Sequence, residues 1–159
     1  MTTIGFEAHD HGACVHQALD AAEATCRAAK LQFTPVRRRV LEILLERHQA
    51  MGAYDILAKL AEEGLGSQPP VAYRALDFLV KHGFVHKIQR LNAYVACTHP
   101  GQDHAPAFMI CRGCDSVAET QASNVTGLGT AAEDAGFEIE QTVIEAEGLC
   151  PDCRSETPS

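Results

Sequence analysis

Residues 86–119 read HKIQRLNAYVACTHPGQDHAPAFMICRGCDSVAE, and this stretch decides how the rest of the chain is interpreted. Thiol, imidazole and carboxylate side chains are concentrated within it, and together they are the ligands that zinc takes in proteins. The side chains concerned are His86, Cys97, His99, Asp103, His104, Cys111, Cys114, Asp115 and Glu119. The stretch lies between segments of different character and predicts metal chemistry where they meet.

The cysteine pair Cys111-Arg-Gly-Cys114 is matched far downstream by Cys150-Pro-Asp-Cys153. Each CxxC turn lets two sulfurs chelate one ion, and two such turns complete the closed tetrahedral Cys₄ shell of structural zinc. The interval between the pairs is longer than in a simple zinc ribbon, so we expect a strand, a helix and a strand inside it. A redox site of thioredoxin type needs one such pair rather than two.

A second metal site is predicted from the donors that remain. His86, Cys97, His104 and Glu119 give two neutral imidazoles, one thiolate and one carboxylate, which form a neutral site with Zn²⁺. A metal held by all four would tie the segment before residue 98 to the segment after it. His99 and Asp103 are competing ligands. Alternatively, His86 and His104 are ordinary surface residues. The thiolate makes iron or manganese less natural than zinc.

The charge is divided unevenly along the chain. The formal net charge is −8, but residues 1–114 carry 12 Lys+Arg against 11 Asp+Glu, and residues 115–159 carry Arg154 alone against 10 acids. The acidity therefore belongs to the C-terminal part and does not exclude a nucleic-acid partner for the N-terminal part. We expect two small domains, residues 1–97 and 98–159, each of a size that a metal ion helps to stabilise.

The chain begins without a basic start or an apolar run of the secretory type, and no stretch approaches the roughly 20 apolar residues that span a bilayer. We therefore predict a cytoplasmic protein without a membrane partner. In that reducing compartment the seven cysteines are expected to be metal ligands rather than disulfides.

The first 14 residues show no sustained period and predict a mobile arm. Its side chains His9, His11 and Cys14, with His16 just beyond, are either a further metal site or a solvated tail. Apolar periodicity, caps and glycine stops then predict four helices, near residues 15–29, 35–48, 53–63 and 69–82.

Two short runs of strand-forming residues follow, 84–88 and 93–97, with a hairpin turn between them. Helices joined by a tight turn and followed by a hairpin are the winged-helix arrangement. Its fourth helix would enter the major groove, where Arg74 would contact guanine and Tyr73 a phosphate or a thymine methyl. Lys87 and Arg90 of the hairpin are also expected to contact phosphates. Arg37, Arg38 and Arg39 at the start of the second helix form either further phosphate contacts or a solvated basic face.

The C-terminal part is predicted to be α/β. Strands are expected at 107–111 and 116–119, a helix at 123–135 and an alternating strand at 137–145. The last helix and strand could also pair across a two-fold axis in a homodimer. The fold class is therefore α+β: an N-terminal winged-helix DNA-binding domain followed by a small α/β dimerisation domain with a Cys₄ zinc site.

Several motifs resemble the ferric uptake regulator superfamily, and within it the zinc-responsive members. They are Pro69-Pro-Val-Ala-Tyr-Arg-Ala-Leu-Asp-Phe-Leu79, Gly83-Phe-Val-His-Lys87, Tyr94-Val-Ala-Cys97, Phe108-Met-Ile-Cys-Arg-Gly-Cys114 and Val143-Ile-Glu-Ala-Glu-Gly-Leu-Cys150. The resemblance implies a dimeric bacterial repressor that binds double-stranded operator DNA, takes zinc as corepressor and silences zinc uptake genes.

The resemblance also implies roles for particular residues. It places structural zinc on Cys111, Cys114, Cys150 and Cys153, and regulatory zinc on His86, Cys97, His104 and Glu119, so that each chain holds two zinc ions. Tyr73 and Arg74 match the recognition-helix contacts. One departure is Pro70-Val-Ala-Tyr-Arg74, where the family usually has Pro-Thr-Val-Tyr-Arg, and the missing hydroxyl makes the operator contacts less certain.

Other functions remain alternatives. A sister regulator would respond to iron, manganese, nickel or peroxide, and Cys97 is the residue that discriminates against it. An interaction module would hold structural zinc only. A zinc deaminase would need His-x-Glu before Pro-Cys-x-x-Cys, and the sequence has neither. We therefore predict a protein that is not an enzyme and has no small-molecule substrate.

Overall fold

The computed structural model describes residues 11–47, 49–97, 106–121, 127–140 and 142–156. The N-terminal lobe, residues 11–97, contains α1(His11–Ala28), α2(Pro35–Leu45), α3(Ala53–Glu62), α4(Pro69–Lys81), β1(Val85–Ile88) and β2(Ala93–Ala96). The C-terminal lobe, residues 106–156, contains β3(Pro106–Cys111), β4(Val117–Gln121), α5(Leu128–Ala135), β5(Ile144–Gly148) and α6(Pro151–Glu156).

The helices of the N-terminal lobe begin and end where the sequence supplies caps. The hydroxyl of Thr34 accepts a hydrogen bond from the backbone N–H of Arg37 at 3.3 Å, and proline occupies the first position of α2. After α4 the chain turns at Gly83, whose φ of +80° is open to glycine at little cost. The predicted start and end of α4 are thus confirmed.

The core of the N-terminal lobe lies between the four helices and the base of the hairpin. Fully buried apolar side chains come from each helix and from β1, and include Leu19, Leu44, Ile56, Leu76 and Val85. β1 and β2 pair antiparallel, with His86 opposite Val95. This is the predicted winged helix, in which the hairpin is the wing.

The C-terminal lobe is built on a three-stranded sheet of order β4-β3-β5. β3 pairs antiparallel with β4 and parallel with β5, and α5 lies on the connection between the two edge strands. The α+β fold class predicted from the sequence is confirmed.

Two helices of the N-terminal lobe differ from the prediction at one end each. α1 begins at His11, so the last four residues of the predicted arm are helical. α2 ends at Leu45, because Gln49 and Met51 form isolated β-bridges with Ser116 and Tyr94 and the chain must be extended there. His48 lies outside the described residues.

The strand predicted at 137–145 is wrong in position, since β5 begins at Ile144. Pairing with β3 sets this start, because Ile144 lies opposite Ala107. The described residues before it, 137–140 and 142–143, lie outside the sheet, and the Phe137 side chain is 68% exposed. The short helix α6, which carries Cys153, was not predicted.

The two lobes touch through an apolar cluster. Ile88 and Val95 of the wing pack with Phe108, Ile110 and Val117 of the sheet. The domain boundary predicted between residues 97 and 98 remains a prediction, because residues 98–105 lie outside the described part of the chain. None of the described helices combines the length and apolar character that crossing a bilayer requires.

Candidate metal centres

The four cysteines of the two CxxC pairs converge at one end of the C-terminal lobe. Cys111 ends β3, Cys114 closes the following turn, Cys150 follows β5 and Cys153 lies on α6. Their sulfurs all lie within 4.8 Å of one another, and those of Cys114 and Cys150 are 3.8 Å apart. We call this group the Cys₄ cluster.

Close backbone packing holds the first turn of the cluster. The N–H of Cys111 donates to Ser116 O, and the N–H of Asp115 donates to Cys111 O, both at 2.9 Å. A Cβ atom on Gly113 would lie 3.0 Å from the sulfur of Cys153. A side chain at position 113 would therefore crowd the second CxxC where it approaches the first.

The surroundings of the cluster shift the pKa values of two of its thiols in opposite directions. Hydrogen bonds from the backbone, first from the N–H of Cys150 at 3.3 Å, lower the pKa of the Cys111 thiol to about 6. Hydrogen bonding to the sulfurs of Cys150 and Cys111 raises the pKa of Cys153 well above its ordinary value. Sulfurs this close hold a shared set of protons that a divalent cation replaces. None of the seven cysteines is in a disulfide.

A second group of donors lies where the wing meets the sheet. His86 comes from β1, Cys97 from the end of β2 and Glu119 from β4, and one ligand atom of each lies within 4.8 Å of the others. The Nε2 of His86 is 3.3 Å from a Glu119 carboxylate oxygen, to which the Cys97 thiol donates at 3.7 Å. We call this group the interlobe cluster.

Burial of the carboxylate favours a cation at the interlobe cluster. Glu119 is 3% exposed, and no other charged residue in the described part of the chain is buried. Cys97 beside it is also buried. A carboxylate removed from water is costly unless a cation or a strong donor compensates its charge. Imidazole, thiolate and carboxylate fit a zinc ion.

The other predicted ligands are tested unequally. His104, the fourth ligand predicted for the regulatory site, lies outside the described residues, as do His99, Asp103 and His9. The side chain of His11 is likewise not described. Cys14 and His16 are exposed on α1, and within the described residues they belong to no group of three close donors.

The residues predicted to contact DNA fall into two groups. Tyr73 and Arg74 are exposed on α4, with Tyr73 39% accessible, and Lys87 is half-buried on β1. By contrast, Arg37 lies over the Phe78 ring, 3.8 Å from its centroid, and Arg38 pairs with Glu23 at 3.0 Å. The second group therefore already makes contacts inside the N-terminal lobe.

Sequence reasoning missed the contacts between the wing turn and β5. Arg90, predicted to reach a phosphate, pairs here with Glu147 at 2.8 Å, and Glu145 accepts hydrogen bonds from the same turn. The Gln49 side chain similarly donates to Cys114 O at 2.9 Å. The partners are far apart in sequence and follow no local pattern that would reveal them.

The fold and the two clusters define a winged-helix protein with metal-ligating groups at its interlobe junction. The model of the ferric uptake regulator family matches residues 28–147, so the chain belongs to that family. It is 41% identical to the zinc uptake regulation protein of Escherichia coli (strain K12) over 137 aligned residues. The alignment covers 85% of this chain and 80% of the relative.

Solved structures give a consistent result. The zinc uptake regulator complexed with zinc and DNA has a TM-score of 0.85 at 39% identity, covering 89% of this chain and 96% of that one. Holo XcZur has a TM-score of 0.78 at 37% identity, covering 86% and 96%. Apo XcZur, at 36% identity and with coverage of 88% and 97%, reaches only 0.50. The described arrangement thus resembles the holo relative more than the apo one.

Proposed function

We propose that the chain is a zinc-responsive DNA-binding transcriptional repressor of zinc uptake genes, with zinc as corepressor. The observation that carries the proposal is the interlobe cluster, because its donors come from both the wing and the sheet. The printed names of the relatives, which concern zinc uptake, zinc and DNA, support the same function.

The two donor sets support a count of two zinc ions per chain. The Cys₄ cluster is the structural site, and His86, Cys97 and Glu119 with His104 are the regulatory site. When bound, the ion supplies positive charge and fixed tetrahedral bonding without redox chemistry. His104 enters on the family resemblance.

The residues of the interlobe cluster would convert metal binding into lobe orientation. His86 and Cys97 fix the wing, Glu119 fixes the sheet, and drawing them to one point restricts the angle between the lobes. In a homodimer this sets the spacing of the two α4 helices, which must match successive major grooves. A coupling of about 1–3 kcal/mol per site is typical, and operator DNA must raise zinc affinity by the same factor.

The homodimer and the DNA contacts complete the proposal. Large apolar side chains remain exposed in the C-terminal lobe at Leu128, Phe137, Ile139 and Val143, as expected of a subunit interface. On α4, Tyr73 and Arg74 would meet base edges. Lys87 would contact phosphate, and Arg37 and Arg38 would do so after exchanging their present partners. A DNA partner also implies the predicted cytoplasmic location.

The test compares two cysteine variants. Cys97→Ser removes the thiolate of the interlobe cluster, whereas Cys14→Ser, on the exposed face of α1, is the matched control. DNA fragments are first selected from a random pool with the zinc-loaded wild-type protein. Binding to them is then measured against buffered free zinc by fluorescence anisotropy.

Wild type and Cys14→Ser are expected to bind DNA with the same zinc dependence, and Cys97→Ser is expected to show no zinc-dependent binding while it remains a folded dimer. Zinc-dependent binding by Cys97→Ser at wild-type concentrations would overturn the proposal. Repeating the titration with Fe²⁺, Mn²⁺ and Ni²⁺ tests the sister functions, because a thiolate favours zinc over the first two.

A further inference from the structure

The wing turn, residues 89–92 between β1 and β2, is docked on the C-terminal lobe away from the metal donors. One carboxylate, that of Glu145 on β5, accepts hydrogen bonds from two successive backbone N–H groups, Gln89 at 2.6 Å and Arg90 at 3.0 Å. The Arg90 side chain then donates to Glu147 at 2.8 Å. We call these four residues the wing clasp.

Strand register relates the clasp to the interlobe cluster. Phe108 on β3 lies opposite Glu119 of β4 on one side and opposite Glu145 of β5 on the other. Residues paired across strands point to the same face of a sheet. The three side chains therefore form one row, with a carboxylate at each edge and an aromatic ring between them.

The wing lies across this row. His86 is at the β4 edge, 3.3 Å from Glu119, and its ring contacts that of Phe108 with centroids 5.4 Å apart. Ile88 packs in the apolar cluster with Phe108, and the chain then reaches Glu145 at the opposite edge. The wing is thus held at both ends, and only the first end carries the metal-ligating groups.

The two parts of the clasp differ in strength. A carboxylate that accepts two successive N–H groups makes charge-assisted hydrogen bonds of fixed direction. The Arg90–Glu147 pair is exposed, with side chains 55% and 38% accessible, and ion pairs of this kind contribute little alone. Glu145 is therefore the principal contact and the ion pair assists it.

We propose that Glu145 is a positioning residue whose clasp on the wing turn raises the population of the zinc-bound lobe orientation in the metal-free protein, and this inference rests on the proposed function. While the clasp is formed, His86 and Cys97 stay close to Glu119, and zinc then completes and locks the orientation. A ligand binds more tightly when its competent arrangement is already populated. The clasp therefore sets the zinc concentration at which the regulatory site fills.

The first measurement is the zinc affinity of the regulatory site, determined on the full chain without DNA by competition with a chromogenic zinc chelator. Glu145→Ala is expected to weaken it about tenfold, because it removes both charge-assisted hydrogen bonds. Arg90→Glu and Glu147→Arg are each expected to weaken it about threefold, and the double charge reversal should restore it. Glu62→Gln, an exposed carboxylate on α3, is the charge-matched control.

The second measurement is hydrogen exchange of the wing-turn amides with the regulatory site empty. Slow exchange in wild type and fast exchange in Glu145→Ala are expected, with the structural zinc content of both proteins unchanged. Equal zinc affinity and equal exchange in wild type and Glu145→Ala would overturn the inference. If the double charge reversal does not restore zinc affinity, the Arg90–Glu147 ion pair has no part in the inference. Absence of regulatory zinc binding in wild type would instead reject the proposed function, and exchange would still report whether the clasp forms.

Discussion

The two donor clusters differ in where their side chains come from. The Cys₄ cluster draws all its sulfurs from the C-terminal lobe, at the ends of β3 and β5 and on α6. The interlobe cluster takes His86 and Cys97 from the wing and Glu119 from the sheet. A local cluster stabilises the lobe that contains it, whereas a shared cluster acts on the relation between two lobes.

The clusters also differ in solvation. Cys114 and Cys153 are partly exposed, so the net charge of −2 left by four thiolates and Zn²⁺ lies near solvent. Glu119 and Cys97 are buried. The first arrangement suits an ion that is always bound, and the second leaves a carboxylate whose burial is compensated best when a cation is present.

The largest predicted effect is on folding. Cys111→Ser should destabilise the C-terminal lobe by about 5 kcal/mol or more, because zinc binding there is folding free energy. Chemical denaturation followed by circular dichroism measures the change. Cys97→Ser is the matched comparison and should leave the lobe folded with one zinc ion fewer. If both variants lose the same stability, the division between a structural and a regulatory cluster is wrong.

A second prediction concerns the sign of a charge effect at the interlobe cluster. Glu119→Gln should weaken regulatory zinc binding by roughly 100-fold while stabilising the metal-free protein by about 1 kcal/mol, because the buried charge is gone. Thermal unfolding with and without zinc measures both. Glu140→Gln, an exposed carboxylate of the same lobe, should change neither. Destabilisation of the metal-free protein by Glu119→Gln would show that the carboxylate serves the fold instead.

The smallest predicted effect is in proton release. Because the pKa of Cys111 is lowered to about 6, its thiol is already ionised at mildly alkaline pH. Zinc binding to the metal-free Cys₄ cluster should then release fewer protons than there are cysteines, and the number should rise as pH falls toward 6. Calorimetry in buffers of different ionisation enthalpy counts the protons. One proton per cysteine, independent of pH, would contradict the described hydrogen bonding.

Local signals predicted most of the fold. The hydroxyl of Thr34, the proline at the start of α4 and Gly83 after it act within a few residues, so their consequences are readable in the sequence. The two CxxC pairs are also local motifs, and only the contact between them depends on the sheet. The position of β5 failed because pairing with β3, and not the alternation of residues 137–145, determines where the strand begins.

Contacts between distant residues could not be predicted. Three successive arginines look equivalent in the sequence, yet Arg37 stacks on Phe78, Arg38 pairs with Glu23, and Arg39 is surrounded by glutamates. The wing clasp joins residues 55 positions apart. For the interlobe cluster, residue type suggested the ligands, but the burial of Glu119 beside His86 emerged only from the packing of wing against sheet.

The central claim is that one ion is held jointly by the wing and the sheet. Anomalous diffraction at the zinc absorption edge, from crystals grown with zinc, tests it most directly. The account predicts two peaks per chain, one inside the Cys₄ cluster and one among His86, Cys97 and Glu119. A single peak at the Cys₄ cluster, with the second cluster empty at saturating zinc, would contradict it.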